Sequence, residues 1–401
     1  MYNLHLSAEQ LEFRDTVRGF VEDEVKPGTL NSQRLDAGDR SLPTDVLRKA
    51  SRMGLRTLAL PEELGGVGAD ALTACIVTEE LAAGDADIAA VLMETSALAR
   101  RLFAAMTPQQ RDRFLPRFLA DDDYHLAVAD HESGADTALG VNYHRPETVE
   151  RRVTTAAQRA DGDLVINGTK GCVANAPIAK LIAVEAATDK GTAMILVPRE
   201  TPGLTVTGQP GPRWYHGSCG TLTLKDCRVP ADNLLGIGGV ADTGRATPFY
   251  QALNLGIGRA AYEAALDYAQ LRVQGGRPII EHQAIGTKLA DIAIRLDVVR
   301  HTIWRAAWAS DHPEAYADRS LPDLPLTTIA QVFTAEAIYR ATKDAAECFG
   351  AMGVMRDMPL QKYLNDARIC LHTGNGTTDA RLRIAEALAG YRRGPSMLAA
   401  E

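Results

Sequence analysis

Up to residue 122 the apolar positions return with the period of a helix. SAEQLEFRDTVRGFVEDEV puts Leu11, Phe13, Val17, Phe20 and Val21 on one face, and Ser7 followed by Gln10 three residues on predicts a capping box. LPTDVLRKASRMG predicts a second helix, opened near Pro43 and stopped at Gly54. TACIVTEELAAGDADIAAVLMETSALARRLFAAM is apolar on several sides, which predicts one long helix buried between others. PEELGGVGAD, between these two helices, reads as a glycine-rich loop.

From residue 124 the period shortens. HLAVAD, RRVTTAAQ, DLVINGTK, KLIAVEAAT, GTAMILVP, LTVTGQP and GTLTLKDCRVP are short, β-branched and separated by turns, which predicts an antiparallel sheet ending near residue 235. After DNLLGIGGVADTGRATP the helical pattern returns and lasts to the end. The expected organisation is mostly α with a central β domain: helical over 1–122, β over 123–235, helical over 236–401. The strand–helix alternation of a dinucleotide-binding sheet is absent from the pattern.

Composition narrows the function. The chain has 401 residues, 46% hydrophobic and 23% charged, as expected of a globular protein of several packed units. Its formal charge of −8 speaks against a nucleic-acid or anionic-membrane binder. No run approaches the roughly 18 apolar residues of a membrane span. Cys75, Cys172, Cys219, Cys227, Cys348 and Cys370 are scattered, with no CxxC pair and no histidine in ligand spacing, so no metal site is expected. A reducing compartment, the cytoplasm, is the expectation.

With these landmarks the chain resembles the acyl-CoA dehydrogenase family across nearly its whole length. LPEELGGVGAD is similar to the family's "PEEYGG.G" loop, and INGTKGCVANA to "LNG.K.WITNA". TPGLTV, LKDCRVPADNLLG, QLRVQGGRPIIEHQAI and CFGAMGVMRDMPLQKYLNDARI match further markers in order and spacing. The resemblance implies an N-terminal helical domain, a middle β domain and a C-terminal four-helix bundle. It also implies FAD held partly across a subunit interface of a homodimer or homotetramer. In such enzymes a carboxylate base takes the α-proton of an acyl-CoA or related thioester while the β-hydride passes to the flavin.

Carried over residue by residue, the resemblance assigns FAD contacts to Ala129, Ser133, Gly134, Asp136, Cys172, Val173, Arg272, Gln283, Glu347, Gly350, Gly353, Gly376 and Thr377. Several of these depart from the pattern. Ala129 replaces a threonine, Cys172 a tryptophan beside the flavin, and Glu347 a glutamine near the diphosphate. A carboxylate there is unfavourable unless protonated, paired or turned away. Arg272 suits a diphosphate as a fixed cation.

The departure at the base is sharper. Counted from Asp366 and held in register by Arg381, the glutamate of the family's "YEGT" falls on Gly374, between Thr373 and Asn375. The second position used in the family falls near Ala246. Neither carries a base. Relocated candidates are Glu94, a carboxylate within the apolar run VLMETSALA, and His372, one helical turn from the missing glutamate. Each competes with a structural reading, a paired glutamate and a satisfied helix-end histidine. Glu94, His131, Gly374 and Asn375 form the expected substrate-facing set.

Cys172 and Cys370 show no activating neighbour in the sequence and read as apolar fillers. The Trp214-Tyr215-His216 cluster reads as loop packing, and the extra segment around His144 and Arg145 as a surface excursion or a substrate-acid contact. Three functions follow: a flavoenzyme on an acyl thioester with a non-standard base or altered chemistry; a non-catalytic subunit of a hetero-oligomer with a catalytic homologue; or a flavin monooxygenase or oxidase on the same fold.

Overall fold

The computed structural model describes residues 5–30, 41–133, 153–208, 216–237, 248–355, 357–372 and 376–391. Gly134, Asp136, His144, Arg145, Trp214, Tyr215, Ala246, Gly374 and Asn375 lie outside them.

Helix α1 (Ala8–Phe20) starts at the predicted capping box, in which the Gln10 amide donates to Ser7 Oγ at 3.1 Å and the Ser7 amide to Gln10 Oε1 at 3.0 Å. Helix α2 (Thr44–Arg52) follows Pro43, and Gly54 takes the left-handed turn after it, with φ +84°. The long apolar run is not one helix. It breaks into α3 (Ala71–Gly84) and α4 (Ala86–Ala105) at Asp85, whose extended backbone and Oδ1 cap the amides of Asp87 and Ile88, both at 3.0 Å. Apolar character on both sides hid an N-cap in mid-run. At Gly84 a Cβ would stand 2.7 Å from Val21 Cγ1, so the break also admits the chain that follows α1. Helix α5 (Pro108–Ala120) closes this part.

The sheet comprises β1 (His125–Ala129), β2 (Ala156–Ala160), β3 (Asp163–Ala174), β4 (Ala179–Thr188), β5 (Gly191–Pro198), β6 (Leu204–Gly208), β7 (Cys219–Pro230) and β8 (Leu234–Ile237). Its order is β6-β7-β3-β2-β4-β5-β8, with β1 also paired to β4. Pairing is antiparallel except for β1 on β4 and a single parallel bridge, Ala156 to Ala187, between β2 and β4. No hairpin links β1 to its neighbour, so turn geometry does not impose the antiparallel sense there. β4 is apolar on both faces: Leu181 and Ala183 pack with Phe103 and Phe118 of the helices, Ile182, Val184 and Ala186 with the opposite core.

After the sheet come α6 (Pro248–Leu271), α7 (Gln283–Asp311), α8 (Leu326–Cys348), α9 (Leu360–Cys370) and α10 (Gly376–Leu388). Helix α6 packs against α3, α7 and α8. It crosses α3 so closely that a Cβ on Gly256 would lie 2.5 Å from the Glu79 carbonyl oxygen. That crossing carries the start of α6, with Tyr250, towards α4. Helix α9 ends at Cys370, with Leu371 as its C-cap.

His125, at the start of β1, is buried with Nδ1 3.2 Å from Thr95 Oγ1. Burial, then Arg56, pushes its imidazole down to about 4. The folded value lies below the unfolded one of about 6.5, so the unfolded chain binds the proton first as pH falls. The stability this neutral ring contributes is therefore complete above about pH 6.5 and lost towards pH 4, to the extent of about 3 kcal/mol. Urea unfolding across that window is expected to show the loss, and His125→Asn to flatten it.

Candidate active site

Around a small cavity of 50 Å³, α4 contributes Ala90 and Glu94, β3 Cys172 and Ala174, α6 Tyr250 and Leu253, and α9 Ile369 and Cys370. Asn175, His216 and Cys219 complete its wall. Glu94 is half-buried, and the Tyr250 hydroxyl donates to its Oε2. Asn175, with φ +59° at the end of β3, donates through Nδ2 to the Val91 carbonyl and to Thr95 Oγ1, both at 3.2 Å. Cys172 also has a positive φ, +53°, at an irregularity in the β3–β7 pairing.

Beneath this cavity lies a buried polar cluster that fixes α9. Lys362 reaches Asp366 at 2.8 Å and Asp85 at 3.6 Å. His216 Nε2 lies 3.0 Å from the Asp366 carbonyl oxygen and 3.6 Å from Cys370 Sγ, and its Nδ1 lies 3.9 Å from Asp87 Oδ1. Burial, and next Asp85, pushes the Asp87 carboxyl up. Burial likewise pushes the Cys370 thiol up, so its histidine neighbour, invisible in sequence, does not make it a thiolate.

Of the two relocated candidates, the structure puts Glu94 in the cavity and leaves His372 exposed on the turn after α9. His131 is half-buried at the end of β1, its Nδ1 2.7 Å from Asp130 Oδ1. Ser133 is exposed, and the side chains of Ala129 and Val173 are buried in the sheet core, where Ala129 pairs with Val184 and Val173 with Gly220. Gly376 and Thr377 open α10. Tyr250, Asn175 and His216 are polar lining residues to which sequence reasoning gave no role in the site; only the apolar surroundings of Glu94 hinted that it had a partner.

A second cleft, of 750 Å³, lies where α6 turns into α7. Arg272, Gly275, His282, Glu347, Phe349 and Gly350 line it. Gln283 begins α7 beside His282, and at Gly353 a Cβ would stand 2.4 Å from the Ala346 carbonyl oxygen. Glu347 is paired: Lys288 donates to its Oε2, and Lys343 lies 3.8 Å from Oε1. The Lys288 hydrogen bond holds the Glu347 carboxyl below the usual range. Its charge is thus compensated, and Arg272 remains in the cleft for an anion. This donor set fits the nucleotide end of FAD.

The comparisons agree with this geometry. Models of the N-terminal, middle and C-terminal domains of acyl-CoA dehydrogenases match residues 7–122, 126–227 and 244–389. The chain is 30% identical over 397 residues to the mitochondrial short-chain specific acyl-CoA dehydrogenase of Bos taurus, across 94% of this chain and 90% of that protein. It is 29% identical over 406 residues to an acyl-CoA dehydrogenase of Bacillus subtilis, across 96% and 100%. Butyryl-CoA dehydrogenase from Megasphaera elsdenii superposes with a TM-score of 0.81 at 25% identity, across 98% of this chain and 100% of that one. The chain belongs to the acyl-CoA dehydrogenase family, whose members are FAD-dependent oxidoreductases.

Proposed function

We propose that this protein oxidises a short acyl group carried as a thioester of CoA or a related carrier, with Glu94 receiving the proton that the family's usual glutamate would take. The Glu94–Tyr250 pair carries this reading: it lines the same cavity as Cys172, the β3 position assigned to the flavin's side. FAD, when bound, supplies the two-electron acceptor. The loop from Ser133 through Gly134 and Asp136, with Cys172, Gly376 and Thr377, would hold its ring. Arg272, Gln283, Glu347, Gly350 and Gly353 would hold its nucleotide end. A short acyl group is read from the short-chain specific relatives, and Glu94 lines the cavity, close to whatever binds there.

We further read the second cleft as one that another copy of the chain completes. Leu271, Val273, Val354 and Met355 are exposed apolar residues flanking its lining segments, and they need a cover. None of the six cysteines forms a disulfide, and among the described residues no helix is long and apolar enough to cross a membrane; both fit a cytoplasmic location.

Anaerobic mixing of the purified protein with short acyl thioesters tests this reading. A yellow protein bleached by at least one of them is the expected result. A flavin-loaded protein that none of them bleaches, or a chain that takes up no FAD, overturns it.

A further inference from the structure

Asn175 is held at the end of β3 by its own main chain. Its amide donates to the Ser218 carbonyl at 2.7 Å, and its carbonyl accepts from the amides of Ile178 at 3.0 Å and Ala179 at 2.8 Å. The side chain has a forced sense. The Val91 carbonyl only accepts, so the atom facing it at 3.2 Å is the amide nitrogen. The second N–H of that nitrogen goes to Thr95 Oγ1. A helical threonine often returns its proton to the carbonyl four residues back, which here is Val91. Asn175 takes that acceptor, and the Thr95 proton goes instead to His125 Nδ1 at 3.2 Å. His125 then carries its proton on Nε2, in the neutral ring that burial favours. The chain closes on itself, because His125 pairs with Ala179 in the β1–β4 ladder. All three side chains are buried, where water competes little for these bonds.

Val91 and Thr95 stand one turn apart on α4 and bracket Glu94, while Cys172 stands on β3 just before Asn175, on the wall of the same cavity. We propose that Asn175 and Thr95, with His125 behind them, are positioning residues that lock the Glu94 turn of α4 to the end of β3, and so set the gap between the proton acceptor and the flavin's side of the cavity. The proposal rests on the Glu94 reading above.

The layout calls for such a lock. Glu94 stands on a helix and Cys172 on a strand, in separate layers of the molecule. Between those layers Leu98 and Leu102 of α4 pack with Leu126 of β1 and Leu181 of β4. Apolar packing of this kind is non-directional and sets how far apart the layers lie. Hydrogen bonds of definite direction set where one layer sits along the other. A base that must meet its proton within hydrogen-bond reach depends on both. Thr95 suits the middle of the chain because a hydroxyl accepts and donates at once. Serine keeps both functions; valine keeps the shape and neither function.

The test follows anaerobic flavin reduction in the flavin-loaded protein by propionyl-, butyryl-, isobutyryl- and hexanoyl-CoA, taking the thioester that reduces the wild type fastest. Thr95→Val is expected to lower the limiting rate by about 10–100-fold, the scale for a reacting group misplaced by up to ~1 Å. The half-saturating concentration and the visible spectrum of the bound FAD should stay as in the wild type. Thr95→Ser should recover most of the loss. Asn175→Gly keeps the left-handed backbone without its side chain, so it should match Thr95→Val, and the two together should cost no more than either alone. The deciding comparison is in the Glu94→Gln background, where Thr95→Val should add nothing, because a residue that acts through Glu94 has nothing left to position. An equal fold-loss in both backgrounds, or a Thr95→Val protein as fast as wild type, overturns the proposal and leaves the Glu94 reading standing. If Glu94→Gln alone is as fast as wild type, or no thioester reduces the wild-type flavin, both fall.

Discussion

Glu94→Gln is expected to slow flavin reduction by the preferred thioester by about 10²–10⁴-fold in anaerobic stopped-flow, the range for loss of a positioned proton acceptor. Glutamine keeps the shape and still accepts the Tyr250 hydrogen bond, but it takes no proton. FAD content and thermal midpoint should stay near those of the wild type, which separates lost chemistry from lost structure. Tyr250→Phe should cost far less, about one neutral hydrogen bond or roughly 1 kcal/mol, near fivefold in rate. Gly374→Glu would place a carboxylate at the position to which the resemblance assigns the family's base, and is expected to complement these losses. It is expected to raise flavin bleaching by butyryl-CoA in the Glu94→Gln background. A Glu94→Gln protein as fast as wild type would mean that Glu94 only lines the cavity.

Local rules carried much of this fold, and the failures share a cause. Ser7 with Gln10, and Gly54 after α2, act within a few residues, so their signals survive in sequence. The strands of the sheet followed from alternation and turns. The break at Asp85 escaped because its capping role depends on how α3 and α4 pack, and the flanking residues are apolar either way. The parallel seat of β1 escaped because strand direction is not written in periodicity. At the site, Glu94 was legible as a carboxylate inside an apolar run. Its partner was not: Tyr250 is 156 residues away and breaks no pattern where it stands. Glu347 was legible as an electrostatic problem, and its answer, Lys288, lies 59 residues off on the neighbouring helix. His216 read as loop packing because its contacts with α9 exist only in the folded chain.

Lys170→Met is expected to cost about 3–5 kcal/mol of stability, the range for breaking a buried ion pair from one side. Lys170 on β3 is 0% exposed, and its Nζ lies 2.5 Å from Glu132 Oε1. Glu132 also accepts from Thr154 Oγ1 at 2.6 Å and from Thr155 Oγ1 at 3.0 Å. Burial raises the Glu132 carboxyl, but the Lys170 hydrogen bond and its other donors outweigh that and hold it below the usual range. A depressed folded value means that this contribution is present above about pH 4.3 and is lost as pH falls below it. Without the ammonium the carboxylate stays in place with its main compensation gone. Adding Glu132→Gln removes that charge and should recover much of the loss, measured as urea midpoints of the single and double variants. The effect should also reach the cofactor. Glu132 sits between His131, whose carbonyl accepts from the Gly171 amide at 3.0 Å, and Ser133, whose amide donates to the Thr169 carbonyl at 3.1 Å. These bonds pin residues 131–133, the start of the segment proposed to hold the flavin ring, to β3 near Cys172. Loosening them should release FAD on gel filtration under conditions where the wild type stays yellow, whereas an equally destabilising change in the helical core should leave the bound flavin unaffected until the protein unfolds.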